Sequence, residues 1–131
     1  MSNARKRHAT ARYRVGYLRS AAWFRRRDRW FAEQERRTGI LRCVVCWRAA
    51  SRRDLELHHL DYRHVIRLRQ GWAAREQHED LCAIHPGCHE LVHRILDTDL
   101  VLRSYRRRLV ATVRAIEIAR AHLTAMVRAR T

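Results

Sequence analysis

The chain has 131 residues, 47% of them hydrophobic, with 29 Lys and Arg (nearly all Arg) against 13 Asp and Glu, a formal net charge of +16 and a pI of about 11.5. That length suits one domain with a modest core, and one proline with four glycines favours long helices over a turn-rich β architecture. No apolar run reaches the ~18 residues that a membrane span needs, and no apolar stretch follows the charged "MSNARKRHATARYR", so neither a secretory signal nor a membrane partner is expected. The expected compartment is the cytoplasm, where thiols stay reduced; the four cysteines then read as metal ligands or buried residues rather than disulfides. So large a positive excess repels itself in a compact fold and implies a polyanionic partner, nucleic acid first. An anionic membrane surface is second, and the lack of a basic helix with one broad apolar face argues against it.

Residues 1–38 form a basic, helical lead-in. "SAAWFRRRDRWFAEQERRTG" reads as a helix with Ser20 as N-cap and Gly39 as stop. Trp23, Trp30 and Phe31 recur at helical spacing and are expected in the core. Arg25, Arg26, Arg27 and Arg29 between them are expected on a solvated face, free to touch phosphate.

Residues 40–96 carry all four cysteines and seven of the nine histidines. "DLELHHLDY" alternates like a short strand, and "GCHELVHRIL" reads as the first turns of a helix. In residues 97–131, Asp97 and Thr98 are candidate caps of a C-terminal helix. Along it Leu102, Tyr105, Leu109, Thr112, Ile116, Ala119, Leu123 and Met126 make a narrow apolar seam. The seam suits packing on the N-terminal helix or on a second copy, and the within-chain option requires fewer assumptions.

The densest chemistry lies in "DLCAIHPGCHELVH", Asp80 to His93. Cys82 and Cys88 are too far apart for a two-residue knuckle, but His85-Pro86-Gly87-Cys88 has that spacing, as does Cys43-Val44-Val45-Cys46 upstream. Together they offer a Cys3His set suited to a structural Zn2+. Cys82, within Leu81-Cys82-Ala83-Ile84, is then a small buried residue. His89 and His93, at i and i+4, share one helix face. His58 and His59 on a strand point to opposite sides. One of them can join His89 and His93 around a second ion with open positions, leaving the other to take a proton. His8, His64, His78 and His122 lack such context and are expected to be ordinary surface or partly buried side chains.

"CVVC", "LELHHLDY", "EDL" and "HPGCHELVH" resemble the HNH endonucleases. "YLRSAAW" is similar to the lead-in of small HNH proteins of phages and bacteria, and Glu76, four residues before Asp80, fits the same pattern. The resemblance covers about residues 17–96 and says little about 97–131. It implies an α+β fold, mostly helical, in which a zinc-pinned ββα-metal core (40–96) is flanked by long helices.

The same resemblance implies His59 as general base and His58, His89 and His93 as ligands of one catalytic divalent ion (Mg2+, Mn2+, Ni2+ or Zn2+). It implies Cys43, Cys46, His85 and Cys88 as ligands of a structural Zn2+. Asp80 stands where the family usually has Asn, at the position that braces the loop bearing the base, and His85 stands where it usually has Cys. The implied activity is hydrolysis of DNA phosphodiesters in a bacterial or phage-infected cytoplasm. The rival expectation is a non-catalytic zinc-containing nucleic-acid-binding protein or a phage packaging accessory, with the C-terminal helix as a surface for self-association or a packaging partner.

Overall fold

The computed structural model describes residues 14–130. Most of the basic lead-in before Arg14, including His8, lies outside them. Residues 14–18 are helical. Ser20 then caps α1 (Ala21–Thr38) as its side chain accepts from the Trp23 N–H at 3.2 Å and donates to the Tyr17 carbonyl at 2.6 Å. Gly39 ends α1 at φ 76°, a left-handed backbone that suits glycine, with its N–H on the Glu35 carbonyl. Trp23, Trp30 and Phe31 are buried, as their spacing predicts. Arg26 departs from the expected solvated face. It is 3% exposed, its Nε donates to the Glu76 carbonyl at 2.9 Å, and Nη2 lies 3.8 Å from the Glu33 carboxylate. A helix face one residue wider than the apolar stripe was needed to reach the loop after β3, and the long arginine stem fills it.

The middle of the chain holds four short strands: β1 (Glu56–His59), β2 (Val65–Leu68), β3 (Gly71–Ala74) and β4 (Leu81–Ile84). β1 pairs antiparallel with β4, setting His58 opposite Cys82 and His59 opposite Leu81. β2 and β3 form a separate antiparallel hairpin inserted between them. Helix α2 (Pro86–Thr98) leaves β4 directly, with Pro86 at its first turn where a missing N–H costs nothing. The chain is thus mixed α and β, mostly helical, with two small antiparallel sheets.

The C-terminal part differs from a single helix starting at Asp97. Asp97 and Thr98 end α2 rather than cap a new helix. Asp99 is the cap, its Oδ1 accepting from the N–H groups of Val101 and Leu102, and it opens the short α3 (Leu100–Arg103). A break over 104–107 precedes α4 (Arg108–Arg130). The apolar seam is therefore interrupted between Tyr105 and Leu109. Its Thr112, Ile116 and Ala119 are buried, but against α2 rather than the N-terminal helix. A 3–4 spacing specifies that a face must be covered, not by which neighbour. Met126 and Val127 stay exposed at the far end. Among the described residues no helix is long and apolar enough to cross a membrane.

Thr112 is fully buried, and its hydroxyl has no hydrogen-bond partner. A buried hydroxyl without a partner costs ~1–3 kcal/mol. Thr112→Val keeps the branched shape and removes the hydroxyl, and is expected to raise the melting temperature by about 3–6 °C. A calorimetric scan that shows a fall instead refutes this account of the α2–α4 contact.

Candidate metal centres

Two clusters of ligand atoms form around the β1–β4–α2 unit. In the first, Cys43, Cys46, His85 and Cys88 bring their ligand atoms within 4.8 Å of one another. Cys43 and Cys46 sit on a tight hairpin closed by the Arg42–Ala49 bridge, with the Trp47 N–H on the Cys43 carbonyl at 3.0 Å. The turn forces Trp47 to φ 64°, a left-handed backbone that costs a bulky residue of order 1–3 kcal/mol. His85 caps nothing with its side chain. Instead its Nδ1 turns to Cys46 Sγ at 3.2 Å.

The N–H groups of Val45 and His85 both point at Cys43 Sγ, at 3.4 Å. Burial raises the Cys43 thiol, but those backbone donors outweigh it and bring it down to about 7. Cys88 goes the other way, pushed up to about 12 by burial and by the charge of Cys43 and Cys46 beside it. Three thiols this close resist joint ionisation unless a cation compensates, and that is the chemistry of a zinc site. Ligands of a tetrahedral Zn2+ stand ~3.3–3.8 Å apart, so the set needs only a small contraction. This Cys3His cluster can hold a metal ion such as zinc. Cys82 lies apart from it, buried on β4 and raised to about 12 mainly by that burial.

The second cluster is His58, His89 and His93, again within 4.8 Å. Glu56 and His58 are two apart on β1 and share a face; His89 and His93 share a face of α2. His89 Nδ1 donates to the Glu56 carboxylate at 2.6 Å, which turns His89 Nε2 toward the other two rings. There it lies 2.8 Å from His58 Nδ1 and 2.9 Å from His93 Nε2. Three ring nitrogens converging in this way are a donor set that one cation can share. Burial, then His89 and His93, lowers His58 to about 2, and burial with His89 and Arg108 lowers His93. Both are therefore neutral near pH 7, the form a metal takes. The donor set fits a divalent ion with three protein ligands and open positions. Glu56 escaped sequence reading, though its i, i+2 relation to His58 was visible; carboxylates that hold a ligand histidine by its other nitrogen are a common support of such sites.

His59 points to the opposite side of β1 and is not the open side chain expected from sequence. It is 2% exposed. Its ring stacks on Tyr62 at 4.1 Å and packs against Trp23 at 4.6 Å. Its Nε2 lies 2.8 Å from Glu76 Oε2, and the Tyr17 hydroxyl donates to the same oxygen at 2.5 Å. Burial works to raise Glu76, but the hydrogen bonds from His59 and Tyr17 outweigh it and hold the carboxyl below its usual range. Burial and Glu76 in turn push the Tyr17 phenol far above its ordinary value. An ionised Glu76 accepts a hydrogen bond from the Nε2–H of His59, which leaves Nδ1, without a hydrogen-bond partner among the described residues, as the acceptor nitrogen of that tautomer. Tyr17, Ser20 and Trp23 of "YLRSAAW" all serve this pocket: phenol, helix cap and ring wall.

Asp80 is buried and accepts only. Its Oδ2 takes His64 Nδ1 at 2.6 Å and the Gln77 N–H at 2.9 Å, its Oδ1 takes Arg63 Nη2 at 3.2 Å, and its carbonyl takes the Leu60 N–H at 2.8 Å. It therefore ties both ends of the 60–64 loop after His59, without the amide donor that Asn would bring. Burial pushes its carboxyl up, yet His64 and the Gln77 N–H prevail and lower it. His64 and His78 are partly buried, within the expectation for them, and both are engaged in hydrogen bonds. His64 bonds Asp80, while His78 stacks on Trp30 at 4.8 Å with its nitrogens near Glu33 at 3.0 Å and Gln34 at 2.6 Å. His122 is exposed, as expected.

Compared with protein-family models, with curated proteins and with solved structures, the chain matches none.

The geometry separates the cysteines by measurement. Cys88→Ser is expected to lose one tightly held ion and most of the cooperative melt, whereas Cys82→Ala keeps the full ion count in native mass spectrometry and loses only ~1–2 kcal/mol of packing. Glu56→Ala should weaken Co2+ or Zn2+ binding at the three-histidine cluster by about 10–100-fold in a competition titration, with the Cys3His ion unaffected. Equal loss from Cys82→Ala and Cys88→Ser, or unchanged affinity in Glu56→Ala, contradicts these assignments.

Proposed function

We propose that the protein is a metal-dependent endonuclease of the HNH kind, hydrolysing DNA phosphodiester bonds. One observation carries this reading: β1 turns His58 toward His89 and His93 of α2 on one face and a carboxylate-oriented imidazole, His59–Glu76, to the other. A second convergent donor set anchored by Glu56, in addition to the Cys3His cluster, is more than binding alone requires, which supports this reading. A divalent ion at His58, His89 and His93 supplies Lewis-acid stabilisation of the phosphoryl group and the departing 3′ oxygen.

The chain's own residues do the rest. His59 Nδ1 accepts a proton from water as its oxygen forms the new bond to phosphorus and the P–O3′ bond breaks. The charge that appears on the ring is stabilised by Glu76, which is buried, ionised and held in place by Tyr17. Asp80 keeps the 60–64 loop, and with it the stacked Tyr62, in register. The net charge of +16 supplies sequence-independent attraction to the DNA backbone.

The near-complete burial of His59 favours a second reading, a non-catalytic zinc module that binds nucleic acid. In that reading His59 is a wall of the aromatic core, and no cleavage occurs in any metal.

The two readings part in a plasmid-nicking assay across Mg2+, Mn2+, Ni2+ and Zn2+. Cleavage by the intact chain is expected to fall ~10²–10⁴-fold in His59→Ala. His59→Gln, which fills the cavity and retains a donor toward Glu76, should melt closer to the parent and be equally inactive, with DNA binding retained in both. A His59→Gln protein that cuts at the parental rate removes His59 as the base; an intact chain that never cuts, with one ion per chain, leaves the binding module.

A further inference from the structure

Beyond the two clusters the molecule holds a cationic feature that the HNH resemblance, which ends near residue 96, does not cover. Tyr62 has one face taken by His59, at 4.1 Å between ring centres. Over the same ring lie two guanidinium groups, Arg14 at 4.7 Å and Arg108 at 5.6 Å from its centroid. With His59 filling one face, both arginines are confined to the other. They come from distant parts of the chain, one from the helical segment before α1 and one from the first residue of α4.

Neither arginine has an ion pair among the described residues, although six arginine–carboxylate pairs occur elsewhere in them. Arg108 Nε is buried and has no hydrogen-bond partner among the described residues. The first turn of α4 holds no acidic residue to answer its positive end. Burial and the nearby Arg14 both act against the charge on Arg108, and its field reaches His58 and His93. Two like charges held over one ring, one of them with a donor left unpartnered and only the Asp97 carboxylate in range to offset its charge, form an arrangement that an anion completes.

We propose that Arg14 and Arg108 form a two-armed clamp for one phosphodiester group of a bound nucleic acid, held over the face of Tyr62 that His59 leaves open and near the three-histidine cluster. The inference deepens the nuclease reading by naming what holds the backbone at the site, but it makes a binding claim that stands without cleavage. Tyr62 is the shared platform: one face fixes His59, the other fixes both guanidinium groups, so the phosphate and the basic nitrogen are referenced to the same ring.

The test is binding of a fluorescein-labelled DNA duplex by anisotropy, with the zinc-loaded full chain and no added divalent ion, over a range of salt concentrations. Loss of one phosphate contact lowers the slope of log K against log salt by about 0.9. Arg14→Gln/Arg108→Gln is expected to show that drop and about tenfold weaker binding, the size of one charge-assisted hydrogen bond. Arg36→Gln/Arg37→Gln, which removes two exposed charges from the end of α1, should change the slope by less than half as much. Arg108→Lys should keep most of the slope. Circular dichroism and melting accompany each variant; if Arg108→Gln does not fold, Arg14→Gln alone carries the comparison, with a smaller drop in the same direction. A slope no lower than that of the control pair overturns the clamp, whether or not the chain cuts DNA. A normal clamp signal in a chain that never cuts overturns the nuclease reading and leaves the clamp standing.

Discussion

The structure turns on the closure of residues 43–46 against residues 85–88. A Cys3His set joins the knuckle hairpin to the β4–α2 junction across about forty residues of chain. That closure adds to Pro86, the His89 N–H to His85 carbonyl bond at 2.8 Å and the His89–Glu56 bond at 2.6 Å in holding the first turn of α2. With it, the start of α2 is fixed in rotation as well as position. Cys88 then commits the helix face, and His89 and His93 must fall where His58 and Glu56 meet them. The Cys3His cluster and the three-histidine cluster are thus tied together through the first turn of α2.

A second constraint works through His59. A histidine buried to this degree is costly unless its polar atoms are answered. Glu76 answers Nε2, Tyr17 answers Glu76, and Arg26 holds the Glu76 carbonyl from α1. α1 is consequently part of the site rather than a decoration: Trp23 walls the ring, Trp30 donates its Nε1–H to the His78 carbonyl at 3.0 Å, and Arg26 fixes the loop that carries Glu76. Asp80 does the equivalent on the other side of the strand end, binding His64, Arg63 and the Leu60 N–H at once. The polar interior is extensive for a chain of this length, and nearly every member has a partner. Among the described residues the buried orphans are spread over three places: His58 Nε2 and Arg108 Nε by the three-histidine cluster, Arg26 Nη1 and Glu76 Oε1 in the His59 pocket, and the Thr112 hydroxyl under α4.

Sequence alone determined the features that depend on short spacing. The two-residue knuckles, the i, i+4 pair of His89 and His93, the strand at His58 and His59, the Ser20 and Gly39 caps and the aromatic stripe of α1 are all local, because backbone periodicity puts such residues together whatever surrounds them. That is also why Cys82 could be set aside by its apolar neighbours. Tertiary structure decided what lies across the chain. Periodicity cannot say that Glu56 anchors His89, that Glu76 and Tyr17 clasp a buried His59, that Arg26 turns inward, or that the α4 seam packs on α2 and breaks at residues 104–107. Nor can it bring Arg14 and Arg108, ninety-four positions apart in sequence, onto one face of Tyr62. These choices depend on which surfaces meet when the core closes, and one element's pattern holds no record of its partner.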